Sequence, residues 1–154
     1  MLKHLYFDTS ALGKHYITEA GSRWVQLLVR NKKTIVLTSS LTRIEGICTF
    51  ARRRREGMLS EDDLMQVCTI FNYDLAHHYV LAEADLEILS LAQQLALRYP
   101  LRAYDTVPLA TAEFSNRQLV QAGKSPLTFV CADDRLLAIA KVEGLLIENP
   151  NHHP

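Results

Sequence analysis

The chain is poor in the residues that interrupt or staple a fold. Six glycines and five prolines are spread over 154 residues. No Pro/Gly/Ser-rich linker, internal repeat or low-complexity stretch divides them, so residues 1–150 read as one domain. Three cysteines, Cys48, Cys68 and Cys131, make an odd count without a CxxC pair. That excludes a disulfide or zinc framework and suits a reducing, cytoplasmic compartment. Seventeen basic side chains balance seventeen acidic ones, so there is no global basic field, and any contact with nucleic acid has to come from a local patch. Long apolar runs are missing as well. Leu5 to Phe7 gives way at once to Asp8, too short and too polar a run for a signal peptide or a membrane span.

What is present is alternation. Hydrophobic residues make up 48% of the chain, enough for a sizeable core. Short β-rich runs at His4 to Phe7, Thr34 to Thr38, Tyr79 to Leu81, Leu127 to Cys131 and Leu145 to Ile147 predict strands. Longer patterns at Ser22 to Arg30, Leu41 to Arg55, Glu61 to Tyr73, Asp85 to Tyr99, Thr106 to Gln121 and Asp134 to Glu143 predict helices. Strands joined by helical crossovers imply an α/β fold of three layers, α/β/α, around a mainly parallel sheet of four to five strands. Ser22 is expected to cap its helix by accepting from the N–H of Trp24 or Val25, and Gly57 and Gly144 to stop theirs in left-handed turns. Residues 151–154, with His152 and His153, are expected to form a disordered tail.

In open parallel sheets ligands collect beyond the carboxyl ends of the strands, and the polar residues predicted there are acidic. Asp8 ends the first strand, Asp133 follows the fourth, and Asp105 precedes a helix. Glu45 lies within the helix from Leu41, on the same helical face as Leu41, Ile44 and Cys48, which reads as an inward apolar stripe. Four converging carboxylates repel one another and lose hydration, an arrangement that a hard divalent ion neutralises. Mg²⁺ or Mn²⁺ fits, because such ions take oxygen ligands, retain waters and need no His/Cys cage. Singly, each acid also has a structural role open to it. Asp105 and Asp133 can be helix N-caps, and Thr42-x-x-Glu45 has capping-box spacing unless Thr42 already lies inside the helix. If Asp105 is an N-cap, Pro108 falls at the third helical position and offers it no N–H.

The segments Leu5 to Leu12 (LYFDTSAL) with Glu19 to Ser22, Thr38 to Glu45 (TSSLTRIE), Tyr104 to Ala112 (YDTVPLATA) and Phe129 to Leu136 (FVCADDRL) resemble the successive motifs of PIN-domain nucleases. They occur in the family's order and cover nearly the whole chain. In length the chain resembles the stand-alone VapC-type ribonuclease toxins. The resemblance implies a metal-dependent endoribonuclease with one or two Mg²⁺ or Mn²⁺ ions on Asp8, Glu45, Asp105 and Asp133, and Ser10 as a supporting hydroxyl. It further implies an RNA substrate, a VapB-type antitoxin as partner in a type II toxin-antitoxin pair, and a homodimer, with no membrane. Thr106 departs from the pattern, standing where many relatives carry alanine.

Other readings stay open from sequence alone: a catalytically silent RNA-binding or scaffold protein of the same fold, or an RNA-processing nuclease outside a toxin-antitoxin system. A phosphotransfer protein with Asp8 as phosphoacceptor finds no second acid at position 10, where Ser10 stands. The run Arg52, Arg53, Arg54 and Arg55 is a candidate RNA-phosphate grip or a solvated helix end whose charge suits the dipole. His77 and His78 lack zinc spacing. Asp62, Asp63 and Asp85 read as first-turn or capping acids, and Asp134 as a first-turn acid beside Asp133.

Overall fold

The computed structural model describes all 154 residues. Five strands, β1 (Lys3–Phe7), β2 (Thr34–Ser39), β3 (Val80–Ala82), β4 (Thr128–Val130) and β5 (Leu146–Glu148), pair in the order β3-β2-β1-β4-β5, and every pairing is parallel. Seven helices connect them: α1 (Thr9–Leu12), α2 (Ser22–Arg30), α3 (Thr42–Arg55), α4 (Glu61–His77), α5 (Leu86–Arg98), α6 (Ala103–Gln121) and α7 (Asp134–Val142). The chain adds β2 and β3 on one side of β1 and then returns to add β4 and β5 on the other. Because parallel crossovers keep one hand, the reversal moves the later helices to the opposite face. Two cores result. Leu5, Phe7 and Val36 pack with Ala11, Val25, Phe50, Phe71 and Leu75 on one face, while Tyr6, Leu37 and Phe129 pack with Ile88, Leu95, Leu109 and Leu136 on the other. Consecutive β1 residues thus serve opposite layers, as the strand period of two requires.

The helix ends follow local chemistry. Ser60 and Asp63 form a reciprocal capping box at α4, and Asp85 accepts from Ile88 N–H at α5. Gly57 and Gly144 end α3 and α7 at φ +78° and +92°, each with the paired backbone bonds of a Schellman motif. Ser22 does not cap α2. The N-cap is Gly21, and the Ser22 hydroxyl turns back into the preceding loop, accepting from Glu19 N–H at 2.9 Å and donating to Ile17 O at 3.1 Å.

Two further expectations need correction. The face of α3 carrying Leu41, Ile44 and Cys48 is exposed; its buried residues are Thr42, Gly46 and Phe50, two of which carry no hydrophobic signal. Helix α6 begins three residues before Thr106, so Asp105 is a first-turn residue rather than the N-cap, and Pro108 lies inside the helix. At the C-terminus the chain forms a turn against α2. Asn149 caps a 3-10 turn over Pro150–His152, Pro150 is buried, and the His153 ring stacks on Trp24 at 4.2 Å.

Candidate functional site

The strand order reverses at β1, so the gap between the ends of β1 and β4 is the topological switch point, where backbone and side chains diverge and leave a crevice. Asp8 stands at that point. Its N–H bonds Val130 O across the sheet, and its carboxylate caps α1 by accepting from Ala11 N–H at 3.1 Å. Ser10 donates to the same oxygen at 2.7 Å while accepting from Ala132 N–H at 3.0 Å, which links the ends of β1 and β4 through one hydroxyl. The second Asp8 oxygen accepts from the Cys131 thiol at 3.1 Å. The sequence reading gave Cys131 no part in the site, since a lone cysteine carries no positional signal; burial and the Asp8 charge push its thiol pKa up and keep it a donor.

Glu45 arrives from α3. Thr38 Oγ1 donates to Phe7 O at 2.8 Å and shares a 2.7 Å hydrogen bond with the Thr42 hydroxyl, fastening the first residue of α3 to the sheet. Thr42 therefore lies inside the helix and forms no capping box with Glu45, which follows one turn's span later. Asp105 enters from the first turn of α6. Burial, then the charges of Asp8 and Asp105, push the Glu45 carboxyl from an ordinary 4.5 to about 7. Burial raises Asp8 as well, with the Asp105 charge adding to it against the lowering by Ser10, Cys131 and Ala11. Tyr6, two residues before Asp8 on the same side of β1, has a fully buried hydroxyl with no hydrogen-bond partner. Burial and the Asp8 and Glu45 charges raise its pKa.

Asp133 reaches the same Cys131 thiol through its backbone N–H, at 3.3 Å, but its carboxylate is engaged differently from the other three. Its Oδ1 caps α7, accepting from Arg135 N–H at 2.9 Å and Leu136 N–H at 3.3 Å, and its Oδ2 lies 3.9 Å from the Arg135 guanidinium. Neighbouring Asp134 accepts from Asn149 Nδ2 at 2.7 Å, tying the start of α7 to the chain after β5.

A cleft of about 500 Å³ opens over this end of the sheet, lined by Ser10, Lys14, Glu19, Glu45, Arg52 and Arg53 among others. Of the arginine run, Arg52 and Arg53 belong to the cleft; Arg54 pairs with Glu61 at 3.1 Å, and neither it nor Arg55 lines the cavity.

The donor set was tested for its fit to a divalent ion. Asp8, Glu45 and Asp105 form no salt bridge with any basic side chain, so no cation of the chain offsets their mutual repulsion. No three acidic, histidine or cysteine side chains sit tightly enough to close around one ion. Hard oxygen donors too widely set for a cage suit an ion such as Mg²⁺, which takes one or two carboxylates and fills its shell with water and phosphate oxygens. They do not suit a closed zinc site.

A parallel sheet in this order, covered on both faces and carrying carboxylates over its switch point, is a three-layer α/β/α architecture. Several solved structures are similar to the chain, among them a toxin-antitoxin complex from Klebsiella pneumoniae (16% identity, TM-score 0.59, 95% of this chain and 97% of that one). Another is a chain of VapBC2 from Rickettsia felis bound to a DNA fragment from their promoter (12% identity, TM-score 0.64, 95% of this chain and 98% of that one). Others are FitAB bound to an IR36 DNA fragment (14%, 0.67, 96% of each chain) and VapC20 of Mycobacterium tuberculosis, a Sarcin-Ricin loop cleaving toxin (15%, 0.61, 88% and 94%). The chain thus has the fold of VapC-type PIN-domain toxins along its length. Its sequence matches no protein-family model and no curated protein. No helix is long and apolar enough to cross a membrane.

Proposed function

We propose that this protein is a metal-dependent endoribonuclease and the toxin of a type II toxin-antitoxin pair, with a VapB-type antitoxin as partner. The observation that carries the reading is the group of three carboxylates, Asp8, Glu45 and Asp105, brought from three elements to the switch point and left without a cationic partner. RNA as substrate and an antitoxin as partner draw support from the toxin-antitoxin structures that share the fold and from a Sarcin-Ricin loop cleaving toxin among them. Asp8, Glu45 and Asp105 would hold Mg²⁺ or Mn²⁺. When bound, such an ion makes water a better nucleophile and stabilises charge on the phosphate oxygens. The chain's own residues orient and admit. Ser10 and Ala11 N–H fix one Asp8 oxygen, Thr42 anchors the helix that carries Glu45, and Glu45 faces the cleft through which a strand reaches the acids.

Cleavage of a single-stranded RNA is expected with Mn²⁺ and not with a chelator. An ion that binds only the native acids should also raise the melting temperature. RNA left intact under both conditions, with a melting temperature indifferent to millimolar Mn²⁺, would sink the proposal.

Asp133 is retained as a fourth contact through Oδ2, since the cap occupies Oδ1. Asparagine caps helices about as well as aspartate, while alanine costs about 1 kcal/mol. Asp133→Asn is therefore expected to lower cleavage with unchanged melting, and Asp133→Ala to lower both. Full activity in Asp133→Asn would confine this acid to its cap.

A further inference from the structure

Lys14 and Arg53 reach the cleft from different elements, one from the 3-10 turn after α1 and the other from the last turn of α3. They meet on one carboxylate. Glu19 Oε1 accepts from Lys14 Nζ and Oε2 from Arg53 Nη2, each at 3.0 Å. The pairing leaves cationic donors unused. The Lys14 side chain is 6% exposed, and Glu19 is its sole side-chain partner, so two of the three ammonium hydrogens have no acceptor in the chain. Arg53 has a buried Nε–H without an acceptor, and its Nη1 faces the weakly accepting Met58 sulfur and Glu56 at 3.6 Å. Arg52 adds a third cation to the wall, 3.9 Å from Glu56. Three cations thus share two carboxylates, Glu19 and Glu56, leaving positive charge on this wall while Glu45 stands elsewhere in the same cleft. A buried lysine and a half-buried arginine with spare donors are poised for an anion that offers more than one oxygen.

Glu19 is built to leave. Its backbone N–H is held by the Ser22 hydroxyl, so the loop stays in place, but its side chain is 32% exposed and can turn into solvent. A carboxylate that gives one oxygen to each of two cations makes the same contacts as two non-bridging phosphate oxygens.

We propose that Lys14 and Arg53 form a subsite for a backbone phosphate of the RNA strand, beside the linkage that is cut, and that Glu19 is its placeholder. In the free protein Glu19 occupies both cations; when the phosphate enters, it swings out. The proposal rests on the ribonuclease reading. An acidic peptide would offer similar oxygens, but Ser10 and Glu45 lie in the same cavity as the two cations, which favours a strand passing over the acids.

The test is anisotropy of a labelled single-stranded RNA over a salt series, with all variants made in the Asp8→Asn chain so that the strand stays uncut. Lys14→Met is expected to weaken binding roughly 5- to 10-fold and lower the salt slope by about 0.7, the share of one single-strand phosphate contact. Lys14→Arg should bind within about 2-fold of its parent, since the charge is kept. Glu19→Gln should tighten binding several-fold by removing the competing anion. It also lies on an exposed loop, so the test does not depend on Lys14→Met folding well. If the parent binds RNA and both Lys14→Met and Glu19→Gln leave affinity and slope unchanged, the ion bridge is a loop clip and the subsite is wrong. If Glu19→Gln tightens a polyglutamate peptide and not RNA, the site belongs to an acidic partner and the proposal is overturned. A parent that binds no RNA even at low salt removes the ribonuclease reading, and the subsite with it.

Discussion

Asp8→Asn is expected to reduce RNA cleavage by at least about 10²-fold, the upper end of the loss seen when even an outer partner of a metal ligand is removed, and to change how the metal-free protein responds to pH. Glu45 titrates at about 7 in the folded chain against an ordinary 4.5. Between those values the native state holds a proton that the unfolded chain has released, so this group lowers stability as pH rises through the window and adds no further loss above it. Asp8 is raised in the same direction. With chelator present, the wild-type melting temperature should fall between about pH 5 and about pH 7.5. Asp8→Asn should flatten the fall by removing one titrating acid and one charge facing Glu45, and Glu45→Gln should flatten it too. Divalent metal opposes the fall because it binds the ionised carboxylates. An unchanged cleavage rate in Asp8→Asn, or variant melting profiles superimposed on the wild-type pH profile, would rule out the coupling between these acids.

Gly46→Ala should have the second large effect, on stability rather than chemistry. A Cβ at this position would run into the Phe71 ring, 2.6 Å from Cε1 and closer still to Cζ. The ring has nowhere to go. Phe71 is 1% exposed and stands edge-on to Phe50 and Tyr16, each at 5.2 Å between centroids. Overpacking of this kind costs about 1–3 kcal/mol, and a domain of this size melts roughly 2–4 °C lower for each kcal/mol lost. Moving α3 off α4 would also move Glu45, so cleavage should suffer with stability. Phe71→Leu in the Gly46→Ala background should recover part of the loss, whereas alone it destabilises. Additive losses in the double variant would show that the two positions do not clash.

The predicted strands lie within a residue or two of those observed, because β-branched and aromatic runs between polar turns are read locally. Helix α2 has its predicted bounds, and α3 starts one residue after the predicted position. The failures fall where neighbours decide. Helix α1 is four residues held by the Asp8 side chain, too short to show a period. The inner face of α3 is built from Thr42, Gly46 and Phe50, and its threonine and glycine are legible only once Thr38 and Phe71 are seen against them. Helix α6 begins without a side-chain cap, so no residue near Ala103 announces it. In the site, Asp8, Glu45 and Asp105 were visible as acids at predicted strand ends and helix starts. The Lys14 and Arg53 bridge on Glu19 spans 34 positions of sequence on its longer side, and no local pattern encodes it. The four arginines looked equivalent in one dimension; helical rotation turns Arg52 and Arg53 toward the cleft and Arg54 toward Glu61.

The stacking of His153 on Trp24 has an optical consequence. Trp24 is the only tryptophan of the chain, so every indole photon comes from the place where the last residues lie against α2. That place adjoins the starts of β1 and β4, while the carboxylates sit beyond the ends of the strands. Emission will therefore register release of the C-terminal turn, and it will be nearly blind to events at Asp8 and Glu45. An unfolding curve followed by fluorescence coincides with one followed by circular dichroism only if the terminal turn undocks together with the core.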